Sequence, residues 1–241
     1  MDFCLHLTGR STRASRSSHD PRPDFDMSRF EAALPGIDGM RRALVHCPEL
    51  PHKIDPLLAT PDATPWCVIQ LYFDGLAKLE SSLLHGGPLW QALRAATSGI
   101  AAAEAYTQQA MAVRRYAVPE CTTTPSTRTS YLVSYEGHAD DFDTWLAHYL
   151  DHHSPLMLQL PGLRELEVCT RLDYRSDLPL PRAHAMQRNK VVFDDKAALS
   201  AALASPIRAA MRKDYEAFPA FHGETPHFPM RTVSCKLSRV D

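Results

Sequence analysis

Residues 190–203 read Lys-Val-Val-Phe-Asp-Asp-Lys-Ala-Ala-Leu-Ser-Ala-Ala-Leu: a β-branched run, a Phe-Asp step, then apolar residues at helical spacing. The same arrangement stands 120 residues earlier. There Trp66-Cys67-Val68-Ile69-Gln70-Leu71-Tyr72 leads into Phe73-Asp74, and Ala77, Leu79 and Leu83 follow as Ala197, Leu199 and Leu203 do. A second phrase repeats in the same order, Leu34-Pro35-Gly36-Ile37 returning as Leu160-Pro161-Gly162-Leu163 at an offset of 126. Short phrases recur by chance; their ordered recurrence in matching context points to two copies of one unit.

The second copy parses cleanly. Arg128 to Tyr135 alternates as a strand, with Tyr131, Val133 and Tyr135 on one face. Asp140, with Asp143 three residues on, reads as the N-cap of a helix whose face is Phe142, Trp145, Leu146, Tyr149 and Leu150. His148, His152 and His153 crowd its last turn, and Ser154-Pro155 is expected to stop it, since a residue before proline avoids the helical region. A short second helix can start there with proline in its first turn. Strands are then predicted over Leu163–Leu172, His184–Phe193 and Met230–Leu237, with a helix from Asp195 to about Phe218 interrupted near Ser205-Pro206. The order is βαββαβ, a ferredoxin-like unit.

The first copy fits the same order less fully. Its strands fall at Phe3–Leu7, Gly39–Cys47, Trp66–Phe73 and Thr107–Val118, with a short helix at Met27–Leu34 and a longer one from Leu76 to about Leu93. Glu120 to Thr127 reads as a linker and the Arg-, Ser- and Thr-rich opening twenty residues as an arm. The expected organisation is therefore residues 1–119 as a degenerate first repeat with its arm, 120–127 as linker and 128–241 as the second repeat. The fold class is α+β: two ferredoxin-like repeats whose antiparallel sheets pack together.

Composition narrows the function. The chain has 241 residues, 44% hydrophobic and 22% charged, with a formal charge of −2, so neither nucleic acid nor an anionic membrane surface is expected as a partner. No apolar run reaches the roughly 18–20 residues of a membrane span. The six cysteines form no Cys-x-x-Cys pair and read as buried apolar residues of a cytoplasmic protein. Dinucleotide and phosphate-loop glycine motifs and the Gly-x-Ser-x-Gly elbow are missing. His148 and His152 stand four apart, but no third ligand at metal spacing accompanies them, so no metal is expected.

The run Phe142-x-x-Trp145-x-x-x-Tyr149-x-x-x-His153-Ser154-Pro155-Leu156, followed by Leu160-Pro161-Gly162, resembles the EthD-like family of the dimeric α/β-barrel superfamily. The likeness spans about 110 residues, Arg128 to Leu237, and its motif is short and moderately specific. It implies ferredoxin-like units whose sheets pair into a barrel, here within one chain, and a histidine of the His-x-Pro-Leu form in the site. The first copy keeps Leu34-Pro35-Gly36 but lacks that histidine motif, so the site belongs to the second.

His153 continues the face of Phe142, Trp145 and Tyr149 by steps of 3, 4 and 4, which turns its imidazole inward. An inward imidazole among aromatics suits proton transfer on a bound ring, against the plainer role of capping the helix. Tyr149 is its candidate helper. Trp145, Tyr131 and Tyr135 are expected to line the substrate pocket, set inside the barrel. His184 and Arg188 are expected to reach it from the third strand, the arginine to neutralise a carboxylate or phenolate. The resulting expectation is a cofactor-independent enzyme, of lyase, isomerase, dehydratase or monooxygenase type, acting on a small aromatic or cyclic metabolite. The alternatives are a non-catalytic small-molecule-binding or stress-associated accessory barrel and, third, a haem-binding one. A homodimer of tandem barrels stays open.

Overall fold

The computed structural model describes residues 1–9, 26–49, 64–96, 106–118 and 127–237. The first half supplies β1 (Asp2–Gly9), α1 (Met27–Ala33), β2 (Met40–Pro48), β3 (Cys67–Phe73), α2 (Leu76–Leu83), α3 (Pro88–Ala96) and β4 (Tyr106–Tyr116). The second supplies β5 (Thr127–Ala139), α4 (Phe142–His148), a π-turn (Tyr149–His153), α5 (Ser154–Met157), β6 (Glu165–Arg171), β7 (Gln187–Phe193), α6 (Lys196–Leu203), α7 (Pro206–Glu216), β8 (Phe221–Glu224) and β9 (His227–Ser234). The expected linker lies outside the described residues except for Thr127, and so does most of the expected arm. The opening of that arm is strand β1.

Eight of the strands close into an antiparallel barrel in the order β7-β6-β4-β1-β3-β2-β9-β5, with β5 returning to β7. Closure leaves no open edge, which removes the unpaired backbone groups a half-sheet would expose. Within the halves the orders are β4-β1-β3-β2 and β9-β5-β7-β6, and the seams between them are β4–β6 and β2–β9. The short β8, unanticipated from sequence, pairs with the far end of β5, where Gly137 faces Gly223. A Cβ on Gly137 would stand 2.0 Å from the His222 carbonyl oxygen, so only glycine permits that approach.

Two helical layers cover the barrel outside. Leu5, Leu7, Ile69, Leu71 and Phe73 face α1–α3; Tyr131, Val133, Tyr135, Val191 and Phe193 face the helices of the second half. Strand alternation sends the intervening residues into the barrel. That interior is filled, contrary to the expected substrate pocket there. Cys4, Leu44, Tyr72, Met111, Val113 and Cys169 pack as one apolar cluster and Val68, Leu132, Phe228 and Met230 as another. Between them runs an ion network: Lys190 Nζ lies 3.0 Å from Glu167 Oε2, 3.5 Å from Glu165 Oε2 and 2.8 Å from the Tyr72 hydroxyl. Arg42 holds Glu165 through two bonds of 2.8 and 2.9 Å, and Arg115 donates to Glu167 at 2.9 Å.

This interior predicts acid sensitivity. Burial, with Lys190 nearby, holds His46 down at about 3, below the ordinary histidine range. Lys190, Tyr72 and Arg115 outweigh the burial of Glu167 and hold it down at about 2. Both groups bind more protons unfolded than folded, so stability rises with pH. The histidine contribution is lost as pH falls below about 6.5, and the glutamate contribution follows below about 4.5. Urea unfolding at pH 5 should give a stability lower by about 2 kcal/mol than at pH 7.

Candidate functional site

Asp141, one residue beyond the expected Asp140, caps α4 by accepting from the Thr144 amide at 3.0 Å. The helix does not stop at Ser154-Pro155. Ser154 stays helical and its amide donates to the Tyr149 carbonyl, five residues back, which defines the π-turn. Its hydroxyl also reaches that carbonyl, at 3.1 Å. Pro155 has no amide to donate and its ring would crowd the carbonyl four residues earlier. Widening the turn relieves the crowding without ending the helix. A second consequence concerns direction: in a regular helix, steps of four drift by about 40° each. The wide turn absorbs the drift, and Tyr149, His153 and Met157 are all buried on one face.

That face, the outer surface of β5 and β7, and α6–α7 enclose a cavity of about 260 Å³. Tyr131, Val133, Asn189, Val191 and Phe193 form its floor, Met157, Leu199, Leu203 and Met211 its apolar walls. His153, Arg208, Arg212, Tyr215, Thr225 and His227 bring the polar groups. Every lining residue lies between positions 131 and 227, so the second half builds the cavity.

His153 is held by a residue that no sequence pattern announces. Its Nδ1 lies 2.8 Å from Asp214 Oδ2, and His148 Nε2 lies 3.1 Å from the other oxygen of the same carboxylate. Asp214, on α7, stands 61 residues from His153, and nothing in its neighbourhood marks it as a partner. Burial pushes the His153 pKa down against the opposing pull of Asp214, which favours the neutral ring. With Nδ1 given to the carboxylate, Nε2 is the nitrogen left to act as a base, and His153 is one of the residues lining the cavity. Phe218 packs edge-on at 5.2 Å and Tyr149 at a tilt at 5.1 Å, fixing the ring plane.

The other sequence-picked residues divide. Tyr131 and Tyr135 line the cavity. Tyr149 does not: it is fully buried, its hydroxyl bonded to Asn189 Nδ2 and 3.8 Å from Met157 Sδ, and burial raises its pKa. It touches a ligand only through Asn189, which is in the floor. Trp145 lies behind Tyr149, stacked at 5.3 Å, and supports the aromatic layer without reaching the cavity. His184 is exposed on the approach to β7, away from the cavity. Arg188 points into the barrel and donates to Gln109 at 3.3 Å. The strand alternation begins at Gln187, so position 188 takes the opposite face from Asn189. The arginines at the cavity are Arg208 and Arg212, one helical turn apart on α7. Among the described residues no group of three or more His, Cys, Asp or Glu is arranged to hold a metal.

No protein-family model matches the chain, and no curated protein does. Solved structures share its fold. An anthrone oxidase-like protein aligns over 100% of this chain and 96% of its own, at 14% identity and a TM-score of 0.56. Two proteins provisionally described as monooxygenases align similarly. The one from Fusobacterium nucleatum covers 99% of this chain and 94% of its own at 7% identity and 0.54. The one from Lactobacillus acidophilus covers 99% and 95% at 10% identity and 0.50. An ethyl tert-butyl ether d (EthD) family protein from Bacillus halodurans covers 41% of this chain at 0.33, a likeness too slight to carry the family. Among the described residues no helix is long and apolar enough to cross a membrane.

Proposed function

We propose that the cavity is the active site of an enzyme that moves protons on a small aromatic or cyclic substrate without a cofactor. The observation that carries this reading is one geometry: a histidine, backed by a carboxylate, in the wall of an apolar cavity that also holds two arginines. A cavity of about 150 Å³ takes benzene, so 260 Å³ suits two or three fused rings. His153 Nε2 removes a proton from an acidic ring carbon or hydroxyl, and Asp214 steadies the imidazolium that results. Charge developing on the substrate oxygen meets Arg208 and Arg212. Asn189, oriented by Tyr149, adds a polar contact on the floor.

From that anion the electron pair has three outlets. It takes a proton at another carbon, expels a leaving group, or passes to dioxygen. In the third, anthrone and one dioxygen give anthraquinone and one water: the methylene carbon becomes a carbonyl, one oxygen atom entering it and the other leaving as water. The anthrone oxidase-like and monooxygenase descriptions of the structural neighbours favour trying that outlet first. We read the chain as two ferredoxin-like repeats, 1–119 and 128–241, the first completing the barrel and the second holding the site. The free thiols of Cys4, Cys47, Cys67, Cys169 and Cys235 fit a reducing cytoplasm.

Anthrone oxidation followed by anthraquinone absorbance and oxygen uptake, with calorimetric binding of 1-hydroxy-2-naphthoate, tests the reading. Arg208→Met should weaken naphthoate binding about 10-fold or more, the scale of one charge-assisted hydrogen bond. Binding without turnover of any substrate would favour the accessory-protein reading. Failure of two- and three-ring phenols and carboxylates to bind at all would overturn both.

A further inference from the structure

Two cysteines of the first half meet on neighbouring strands, away from the cavity. The antiparallel register of β2 and β3 sets Val45 opposite Ile69 and His46 opposite Val68, so its next step sets Cys47 opposite Cys67. Directly opposite residues share a face of the sheet. For this pair it is the outer face: Cys67 joins Val45 and Ile69 in the apolar cluster under α1–α3, and Cys47 packs against that cluster.

The spacing suits a covalent link. Opposite residues on antiparallel strands hold their Cα atoms about 4.5–5.5 Å apart, inside the roughly 4.4–6.8 Å that a disulfide spans. Their Cβ atoms stand about 4.5–5.5 Å apart, so an approach of about 1 Å brings them to disulfide distance. Both residues are thiols in the structure, and the Cys67 S–H donates to the Cys47 sulfur. That bond, and then burial, hold the Cys67 thiol well above the ordinary thiol range.

The two sulfurs differ in access and in charge. Cys67 is 3% exposed, whereas Cys47 is half-buried. A sulfur that accepts a hydrogen bond is the easier of the two to hold as thiolate, and the thiolate is the form that reacts. Cys47 is therefore the sulfur a small oxidant meets first, and Cys67 is placed to resolve the product. Cys235 is placed differently: its amide donates to the Ala43 carbonyl at 3.0 Å, further along β2, and its thiol bonds Glu31.

We infer that Cys47 and Cys67 form an oxidation site at which hydrogen peroxide closes a reversible cross-strand disulfide. One peroxide oxygen passes to the Cys47 sulfur, giving a sulfenic acid and one water. The Cys67 sulfur then attacks the Cys47 sulfur, the S–O bond breaks, and the oxygen leaves as a second water. Two thiols and one peroxide give one disulfide and two waters, the sulfurs supplying the two electrons. The bridge ties β2 to β3 and encloses residues 48–66. It is independent of the chemistry proposed for the cavity, whose lining lies wholly between positions 131 and 227.

The test treats the reduced full chain with a slight excess of hydrogen peroxide and maps its peptides by mass spectrometry without reduction. The intact mass should fall by about 2 Da, the two hydrogens lost. Cys47 and Cys67 should appear in one linked peptide pair that dithiothreitol separates. Cys67→Ser should abolish the link and leave on Cys47 a sulfenic acid that dimedone traps. Cys47→Ser should leave Cys67 unmodified, and Cys235→Ser should form the bridge as the parent does. The parent's own peptides decide the matter without any variant, and far-ultraviolet circular dichroism checks that each variant keeps the fold. Sulfinic acid on Cys47 with no linked peptide would overturn the site. So would links that join other cysteines while these two remain thiols.

Discussion

Lys190→Met is expected to lower the unfolding free energy by about 3 kcal/mol, the low end of what removing one partner of a buried ion pair costs. Lys190 is 1% exposed and donates to Glu167, Glu165 and the Tyr72 hydroxyl together. Methionine matches the length of the aliphatic stem, so the loss is of charge and hydrogen bonds and leaves no large void. The cost stays at the low end because each carboxylate keeps an arginine, Arg42 on Glu165 and Arg115 on Glu167. The same residues tie the halves together: Arg42, Tyr72 and Arg115 come from the first, Glu165, Glu167 and Lys190 from the second. Urea unfolding should remain a single transition with an earlier midpoint. The double variant Lys190→Met, Glu167→Gln should recover part of the loss, because it removes the carboxylate left without its ammonium. A single variant as stable as the parent would show that the network contributes nothing net.

What was legible in the sequence follows from period and position. Strand alternation marks β1–β7 and β9 because each buries an apolar set on one face, and Ser205-Pro206 separates α6 from α7 where proline must sit in a first turn. Alternation cannot say which face of a closed sheet looks into the barrel. That is why the pocket was expected inside, where ions and two apolar clusters stand, and why Arg188, which does point inside, was expected to reach it. The strand β8 carries Gly223 and only four residues, too short a run for a period. Pro155 reads as a stop because a regular helix cannot pass it; the π-turn is a tertiary solution in which the burial of Tyr149, His153 and Met157 outweighs the local preference. His153 was legible from its spacing, and Asp214 was not, since a single hydrogen bond across 61 residues leaves no local trace.

His153→Ala should reduce turnover about 10²–10⁴-fold, the contribution of a positioned general base, with the melting temperature little changed. His153→Gln, which keeps the volume and a polar tip, separates chemistry from packing against Phe218 and Tyr149: it should be as inactive as the alanine variant and as stable as the parent. Asp214→Asn probes the pair from the other side. It removes the carboxylate that raises the His153 pKa, so the ring should titrate at still lower pH, while its Nδ1–H loses a charged acceptor. A base works only when neutral. The parent's activity should therefore rise through a pH below about 6.5 and level off near neutrality, because burial already holds the His153 pKa down. In Asp214→Asn the limb should move to lower pH and the plateau should fall about 10²-fold, from loss of the tautomer and of imidazolium stabilisation. Proton resonances of the His153 ring, followed by pH titration, give the pKa independently of any substrate. A limb that moved to higher pH in Asp214→Asn, or turnover within two-fold of the parent in His153→Gln, would remove His153 from the chemistry and leave it as a packed core residue.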